Sequence, residues 1–223
     1  MRLLKRCLPL LAPLCLSAAD PVREFWFGGA EINRYALDQA RYGANHPGHA
    51  EFIFVTEPFL PDAQVKHESG DHESIDVLKL NALRTFNTGI YSYRTMTSTF
   101  RPIDLEAYPH ALKSNTSVQD WCGQTFQQVN RRDDGWRARL FSYFQSEGDQ
   151  TLDLPDVWLE DELWLLVRLD PARLPQGEFE AIPGALHIRF AHHTLEPAQA
   201  RGQLETGPQR SSYTLQYPGL NRV

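Results

Sequence analysis

The chain has 223 residues, of which 42% are hydrophobic and 11% aromatic, so it holds enough apolar material for a packed core and general disorder is excluded. Its 28 acidic and 22 basic residues give a formal net charge of −6, the wrong sign for a protein that binds the phosphate backbone of nucleic acids. Nucleic acid is therefore not an expected partner. The length suggests one domain or two small ones, since single β domains often run to about 200 residues.

The first 19 residues have the three parts of a secretory signal peptide. A basic start precedes an apolar run over residues 7–16, and the small residues at 17–19 offer a cleavage site. Pro9 and Pro13 disfavour the alternative of a buried N-terminal helix, because proline breaks a helix interior. We therefore predict an exported protein of the periplasm or the outer envelope.

Cleavage after Ala19 would leave residues 20–223 as a single domain. Cys122 would then be its one cysteine, so no internal disulfide can form and the core must hold the domain together. No segment of this mature chain reaches the roughly 18 uninterrupted apolar residues of a membrane helix, so no membrane span is predicted.

The first part of the mature chain has the patterns of β-strands. Residues 30–57 predict a long hairpin, because 49–57 is rich in aromatic and β-branched residues and Tyr42-Gly43 is typical of a turn. Residues 61–76 are polar and predict a surface loop.

Two further strands follow this loop. Residues 77–83 alternate, which places Leu78, Leu80 and Ala82 on one face of a strand. Residues 87–89 break the pattern, and the Thr- and Tyr-rich segment 90–100 predicts the next strand.

Residues 111–130 predict one or two strands, with Trp121-Cys122-Gly123 inside a strand. Asp133-Asp134-Gly135 then predicts a hairpin turn, because glycine readily adopts a positive φ.

Residues 157–169 change from a strand pattern to a helical one. One helical stripe carries Leu159, Leu163, Leu166 and Val167. Asp170-Pro171 predicts the end of the helix, because the residue before proline disfavours the α region. A buried pair of strands is the alternative for this segment. Strands are predicted again over residues 178–182, 185–196 and 211–217.

These elements predict a mainly β fold: a curved antiparallel sheet, half-barrel or sandwich-like, with one or two helices packed on it. The chain stops soon after its last predicted strand, so we expect a C-terminal truncation of a longer protein and a sheet edge that needs a partner.

The strongest candidate for a metal site is the loop over residues 67–73. It offers His67, Asp71 and His72 as ligands, together with two glutamates. Its histidines are five residues apart, which is not the spacing that places two histidines on one helical face. A solvated acidic loop is the alternative. Other histidines lie at 192 and 193, within a predicted strand, where neighbours face opposite sides.

Cys122 is the one candidate nucleophile of the mature chain. A catalytic cysteine needs a base and an electropositive setting, and its sequence neighbours supply neither. We therefore predict a small structural side chain that reacts slowly with alkylating reagents. No catalytic residue and no cofactor is predicted, because nucleotide-binding and nucleophile-elbow motifs do not occur.

Aromatic residues are dense in the predicted strands. Some of them must leave the core side of a two-faced sheet, and they would then line an apolar ligand site or a docking patch. A core on both faces, covered by helices, is the alternative. The residues concerned are Phe25, Trp26, Phe27, Phe52, Phe54, Tyr91, Tyr93, Phe141, Tyr143 and Phe144.

The stretches FWFGGAEINRYALDQARYG, FVTEPF, VLKLN, FNTGIYSY, QDWCGQTF and EDELW resemble a family of exported proteins from Bacteroidetes-type bacteria. The resemblance implies a β-rich periplasmic or lipid-anchored protein without an established activity. Such proteins are sometimes labelled septum formation inhibitor Maf. The S-x-S-P-R-R motif of true Maf pyrophosphatases does not occur here, so no catalytic residue is carried over.

The function expected from the sequence is a non-catalytic envelope protein whose curved sheet binds a lipid or other apolar molecule, or an envelope protein. The alternatives are a metal-assisted hydrolase built from the loop at 67–73 and a structural protein of envelope assembly. The sequence leaves the choice among these classes open.

Overall fold

A computed structural model describes residues 25–70 and 73–222. The predicted signal peptide over residues 1–19 lies outside the described residues and stays a prediction. The first strands are β1 (Glu31–Arg41), β2 (Ala44–Leu60), β3 (Val65–Lys66), β4 (Ile75–Thr88), β5 (Tyr91–Pro102) and β6 (Lys113–Asp120). The later elements are β7 (Gly123–Arg132), β8 (Gly135–Ser142), β9 (Gln150–Leu154), β10 (Trp158–Leu159), α1 (Glu160–Leu169), β11 (Gly177–Ile182), α2 (Ala185–Ala191), β12 (Ala198–Thr206) and β13 (Ser211–Gln216).

The larger sheet has the order β1-β2-β4-β5-β6-β7-β8-β9, with β3 paired beside β2, and all of its pairs are antiparallel. It curls into a half-barrel, and helices pack on it. The predicted fold class is therefore confirmed. A smaller sheet has the order β10-β11-β12-β13, and its first pair is parallel.

The inner face of the half-barrel is the face that packs against α1. Leu78, Leu80 and Ala82 lie on this face, as the alternation in β4 predicts, and they share a buried cluster with Phe54 of β2. Leu165 of α1 completes this cluster. A fully buried side chain of this size contributes roughly 1.5–3 kcal/mol, so these contacts hold the helix on the sheet.

Helix α1 also packs on the smaller sheet. Leu163 and Leu166 form a second cluster with Leu204 of β12 and with Tyr213 and Leu215 of β13. The helix is thus apolar on two sides, and it joins the two sheets. The helical interpretation of residues 157–169 is confirmed for Glu160–Leu169, and the helix ends before Pro171 as predicted.

The hairpin turn at Asp133-Asp134-Gly135 is confirmed. Gly135 has φ 144°, and a Cβ at this position would lie 2.2 Å from the carbonyl oxygen of Leu154. Only glycine fits here, because both the backbone angle and the neighbouring strand exclude a side chain.

The strand predicted over residues 185–196 is wrong. Ala185–Ala191 form α2, whose buried residues Ala185, Ile188 and Arg189 have the i, i+3, i+4 spacing of a helix. His192 and His193 follow this helix and do not lie in a strand. The next strand is β12, which the sequence pattern did not predict.

The strand predicted through Trp121-Cys122-Gly123 is also wrong, because Trp121 and Cys122 form the turn between β6 and β7. The Oδ1 atom of Asp120 accepts hydrogen bonds from the backbone N–H groups of Cys122 at 2.7 Å and Gly123 at 3.0 Å. A side chain that bonds the following backbone in this way favours a turn over a continuing strand. Cys122 is consequently exposed.

The polar segment 61–76 is largely a loop, but it contains the short strand β3 and the buried side chain of Gln64. Gln64 donates a hydrogen bond to the carbonyl oxygen of Arg131 at 2.8 Å, which ties the loop to the sheet. Across residues 25–70 and 73–222, no helix is long and apolar enough to cross a membrane.

Candidate functional site

Three consecutive acids, Glu160, Asp161 and Glu162, form the first turn of α1 and point into protein rather than solvent. Acids are favourable at a helix N-terminus, where backbone N–H groups lack partners inside the helix. Buried carboxylates also need partners of their own. The three acids find those partners in two different places: Glu162 on one side of the helix start, and Glu160 and Asp161 on the other.

Glu162 is fully buried and belongs to a network of partners. It forms an ion pair with the buried Arg101 and accepts a hydrogen bond from Nδ1 of His110 at 2.9 Å. The backbone N–H groups of Ala111 and Leu159 also donate to it. Burial alone would raise the pKa of Glu162, but the hydrogen bond from His110 and the charge of Arg101 outweigh burial and hold this pKa below its usual value.

Glu160 and Asp161 instead hold the start of α2. The backbone N–H of Gly184 donates to Glu160 at 2.8 Å, and the N–H of Ala185 donates to Asp161 at 3.1 Å. Both guanidinium Nη atoms of Arg222 donate to Glu160, which makes the pair bidentate. Burial and the neighbouring charge of Glu160 raise the pKa of Asp161 to about 6.

A cavity of about 460 Å³ lies between the β1–β2 turn and α2, and we name it the basic cavity. Its lining contains three arginines and one histidine: Arg41, Arg84, Arg222 and His187. Of the residues that the structure describes, no carboxylate lines it. The cavity is therefore cationic, although the protein as a whole is acidic.

Arg41 is 8% exposed and spans from β1 to α2. Its Nη1 donates to the carbonyl oxygen of Phe190, and its Nη2 donates to the hydroxyl of Tyr42 at 3.2 Å. Its guanidinium carbon lies 4.3 Å from the ring centre of Tyr42 and 5.0 Å from that of Phe190, which are cation–π distances. Tyr42 has φ 53°, a left-handed conformation that is uncommon for tyrosine. These contacts fix the wall of the cavity.

Arg84 differs from Arg41 and Arg222 in its lack of hydrogen-bond partners. Among the described residues, none accepts a hydrogen bond from its guanidinium. Its guanidinium carbon lies 5.3 Å from the ring centre of Phe52. Burial lowers the pKa of Arg84, and the charges of Asp161 and Glu160 act against that effect. Arg84 is therefore a half-buried cation that lines a cavity and has no hydrogen-bond acceptor among the described residues.

His187 also contributes to the lining. Burial and the charge of Arg222 lower the pKa of His187, so its imidazole is neutral near neutral pH. Within the described part of the chain, its Nε2 atom is buried without a hydrogen-bond partner. The positive charge of the basic cavity comes from its arginines.

A second depression, of about 400 Å³, lies between α1 and β13, and we name it the apolar groove. Trp164 and Val167 project into it from α1 and remain 45% and 40% exposed, while Leu163, Tyr213 and Leu215 form its walls. Exposed apolar side chains that are grouped in one depression favour a binding site.

The basic cavity and the apolar groove are neighbours. Arg222 lines both of them. Phe52 contacts both Arg84 and Trp164, and the ring centres of Phe52 and Trp164 are 5.6 Å apart. The arrangement can therefore hold one molecule that has an apolar part and an anionic part.

The residues predicted as metal ligands are described only in part. His67 is partly buried and its Nε2 atom has no hydrogen-bond partner in the described part of the chain, while Asp71 and His72 lie outside the described residues. Across residues 25–70 and 73–222, no group of three or more histidines, cysteines, aspartates or glutamates could hold a metal ion. The metal site at His67, Asp71 and His72 stays a prediction.

The aromatic residues of the strands divide between core and surface. Phe52, Phe54 and Tyr93 are buried, whereas Tyr91, Phe141 and Tyr143 are exposed. Helix α1 and its apolar clusters cover part of the inner sheet face.

Sequence reasoning did not identify the arginines of the basic cavity. They come from β1, β4 and the segment after β13, so no local motif joins them. The usable signal was the run Glu160-Asp161-Glu162 at the start of an apolar helix, because acids in that place need cationic or N–H partners.

The chain was compared with protein-family models, with curated proteins and with solved structures, and no match was found in any of the three comparisons.

Proposed function

We propose that this chain is a non-catalytic binding protein of the cell envelope that holds an apolar small molecule, such as part of a lipid. The observation that carries this proposal is the apolar groove, where Trp164 and Val167 stand exposed on a helix that is otherwise buried against both sheets. Association with an apolar molecule would remove these side chains from water.

The interior of the fold supports a binding role at this place. Helix α1 is fixed by apolar clusters on two sides, so its outward face is held rigidly. Rigid walls reduce the entropy that is lost on binding. A ligand would rest on α1 and β13 rather than on the inner sheet face itself.

Competition with an uncharged dye tests this proposal. We expect 1-octanol to displace Nile red from the protein, with its affinity about five-fold lower in Val167→Gln because that variant removes partly exposed apolar surface from the groove. Val65→Gln is the matched control, since Val65 is 46% exposed on β3, away from the groove. Failure of 1-octanol to displace the dye, or equal losses in both variants, would contradict the proposal.

The proposed location in the envelope depends on the signal-like segment at residues 1–19. We expect the secreted form to begin at Asp20 and to fractionate with the periplasm or the outer envelope. N-terminal sequencing of the native protein measures this directly, and a start at Met1 in the cytoplasmic fraction would contradict it.

A second candidate function is the binding of an envelope protein. Three exposed apolar side chains lie in one row on the outer face of the half-barrel: Met96, Phe126 and Phe141. Met96 and Phe126 both pair with Ser117 of β6, and Phe126 pairs with Phe141. Clustered exposed apolar side chains favour a docking surface. Cross-linking in intact envelopes should give a discrete adduct whose yield falls in Phe141→Ser and is kept in Tyr35→Ser, which changes an exposed aromatic residue of β1.

A further inference from the structure

The basic cavity contains an arginine that forms no hydrogen bond and no ion pair with the described residues. Arg41 is held by Phe190, Tyr42 and nearby rings, and Arg222 is held by Glu160. Arg84 lines the same cavity, and none of the residues described accepts a hydrogen bond from it. A half-buried guanidinium without protein acceptors is open to a ligand, and a bound anion would supply acceptors for charge-assisted hydrogen bonds.

The nearest acid does not fill this role. Asp161 accepts its hydrogen bond from the N–H of Ala185 and makes none with Arg84. A tight pair with Arg84 would hold the pKa of Asp161 below its ordinary value, whereas burial and Glu160 raise the pKa of Asp161 to about 6. The five N–H donors of the Arg84 guanidinium remain free for another acceptor.

We propose that Arg84 recognises an anionic group, a carboxylate or a phosphate monoester, at one end of the molecule whose apolar part lies in the apolar groove. This inference rests on the proposed function and adds the class of the ligand: an anionic amphiphile. The link between the two parts is structural, because Phe52 contacts both Arg84 and Trp164, and Arg222 lines both depressions. A planar, bidentate guanidinium suits both carboxylate and phosphate.

Octanoate and 1-octanol form a matched pair of probes, because they share a chain length and differ in head-group charge. We expect octanoate to bind the wild-type chain at least about ten-fold more tightly than 1-octanol, since hydrogen bonds to a charged group carry a gain of that order. In Arg84→Gln this preference should fall to about one. Arg84→Lys, which keeps the charge but loses the planar fork, should keep part of it.

Arg94→Gln is the matched control. Arg94 is exposed on the neighbouring strand β5, next to the buried Thr95 and therefore on the opposite sheet face, so its loss should leave the preference unchanged. Circular dichroism confirms that each variant is folded before its ratio of octanoate affinity to 1-octanol affinity is compared with that of the wild type.

The outcomes separate this inference from the proposed function. Equal binding of octanoate and 1-octanol to the wild type, or an unchanged preference in Arg84→Gln, would overturn the anionic site while the apolar groove stands. Acetate or phosphate that binds as tightly as octanoate would overturn the inference that the ligand is an amphiphile, because the hydrocarbon tail of octanoate would then add nothing to the affinity. Failure of 1-octanol to bind at all would count against the proposed function itself.

Discussion

Two arginines on neighbouring strands interact electrostatically with consecutive acids of α1, but only one of the two arginines forms an ion pair. Burial lowers the pKa of Arg84 on β4 and of Arg101 on β5. Arg101 pairs with Glu162 and donates to the carbonyl oxygen of Pro109 at 2.7 Å. Arg84 has no hydrogen bond to any described residue. Burial alone therefore does not separate a structural arginine from one that is available to a ligand.

The difference lies in what each charge stabilises. Arg101 compensates Glu162, which also receives hydrogen bonds from His110 and from two backbone N–H groups, so loss of this cation would leave a buried charge without its counterion. Arg84 compensates Asp161 only at a distance. The first arginine should matter for stability and the second for binding, and that contrast can be measured.

The largest effect is expected for Arg101→Met. The free energy of unfolding should fall by about 3–5 kcal/mol, because Glu162 is left buried and charged. Urea unfolding followed by circular dichroism measures this. Adding Glu162→Gln to the same chain is the control, and it should restore part of the loss because a neutral amide needs no counterion. A loss below about 1 kcal/mol would contradict the claim that Arg101 stabilises the fold.

A smaller effect is expected from the titration of Asp161. Its pKa is raised from 3.8 to about 6 in the folded chain, so between these values the folded state holds a proton that the unfolded state has released. The contribution of Asp161 to the free energy of unfolding should therefore fall as pH rises from about 4 to 6, by up to about 3 kcal/mol.

Asp161→Asn cannot titrate and should remove this fall, which makes the variant more stable than the wild type at pH 7. Asp149→Asn, at an exposed position after β8, is the control and should keep the wild-type pH dependence. If both variants follow the wild-type curve from pH 4 to 7, Asp161 does not titrate in this range.

Arg84→Met is expected to change the free energy of unfolding by less than about 1 kcal/mol. The substitution removes the partial desolvation of a half-buried cation, and it also removes the attraction to Asp161 and Glu160, so the two effects oppose each other. The same urea experiment compares it with Arg101→Met. A loss as large as that of Arg101→Met would make Arg84 structural and would remove the basis of the anionic site.

Much of the half-barrel could be predicted from local sequence. The turn at Gly135 follows from a backbone angle that only glycine fits well, and the face of Leu78 and Leu80 follows from simple alternation. Helix α1 could be predicted because its leucines recur with a helical period and Pro171 ends it. In these elements the conformation that the local sequence favours is the conformation that the whole fold requires.

Other parts could not be predicted from local patterns. The segment of α2 has alternating apolar and polar residues that suit a strand. The acceptors for the N–H groups at the start of its helix, Glu160 and Asp161, lie far away in the sequence, on α1. The basic cavity joins side chains from distant strands and depends on the curl of the sheet. Such contacts exist only after folding.

The smallest effect on the free energy of unfolding is expected at Cys122. This residue contacts neither Arg84 nor Arg101, so it supplies a baseline for their comparison. The sequence predicted a strand position and a slow thiol, but Cys122 is exposed in the turn that Asp120 stabilises through two backbone N–H groups. We now expect the folded protein to react readily with iodoacetamide at this position. Cys122→Ser should change the free energy of unfolding by less than about 0.5 kcal/mol, because no buried contact is lost. Mass spectrometry of the intact chain measures the reaction, and alkylation that requires denaturant would show that the thiol is covered in solution.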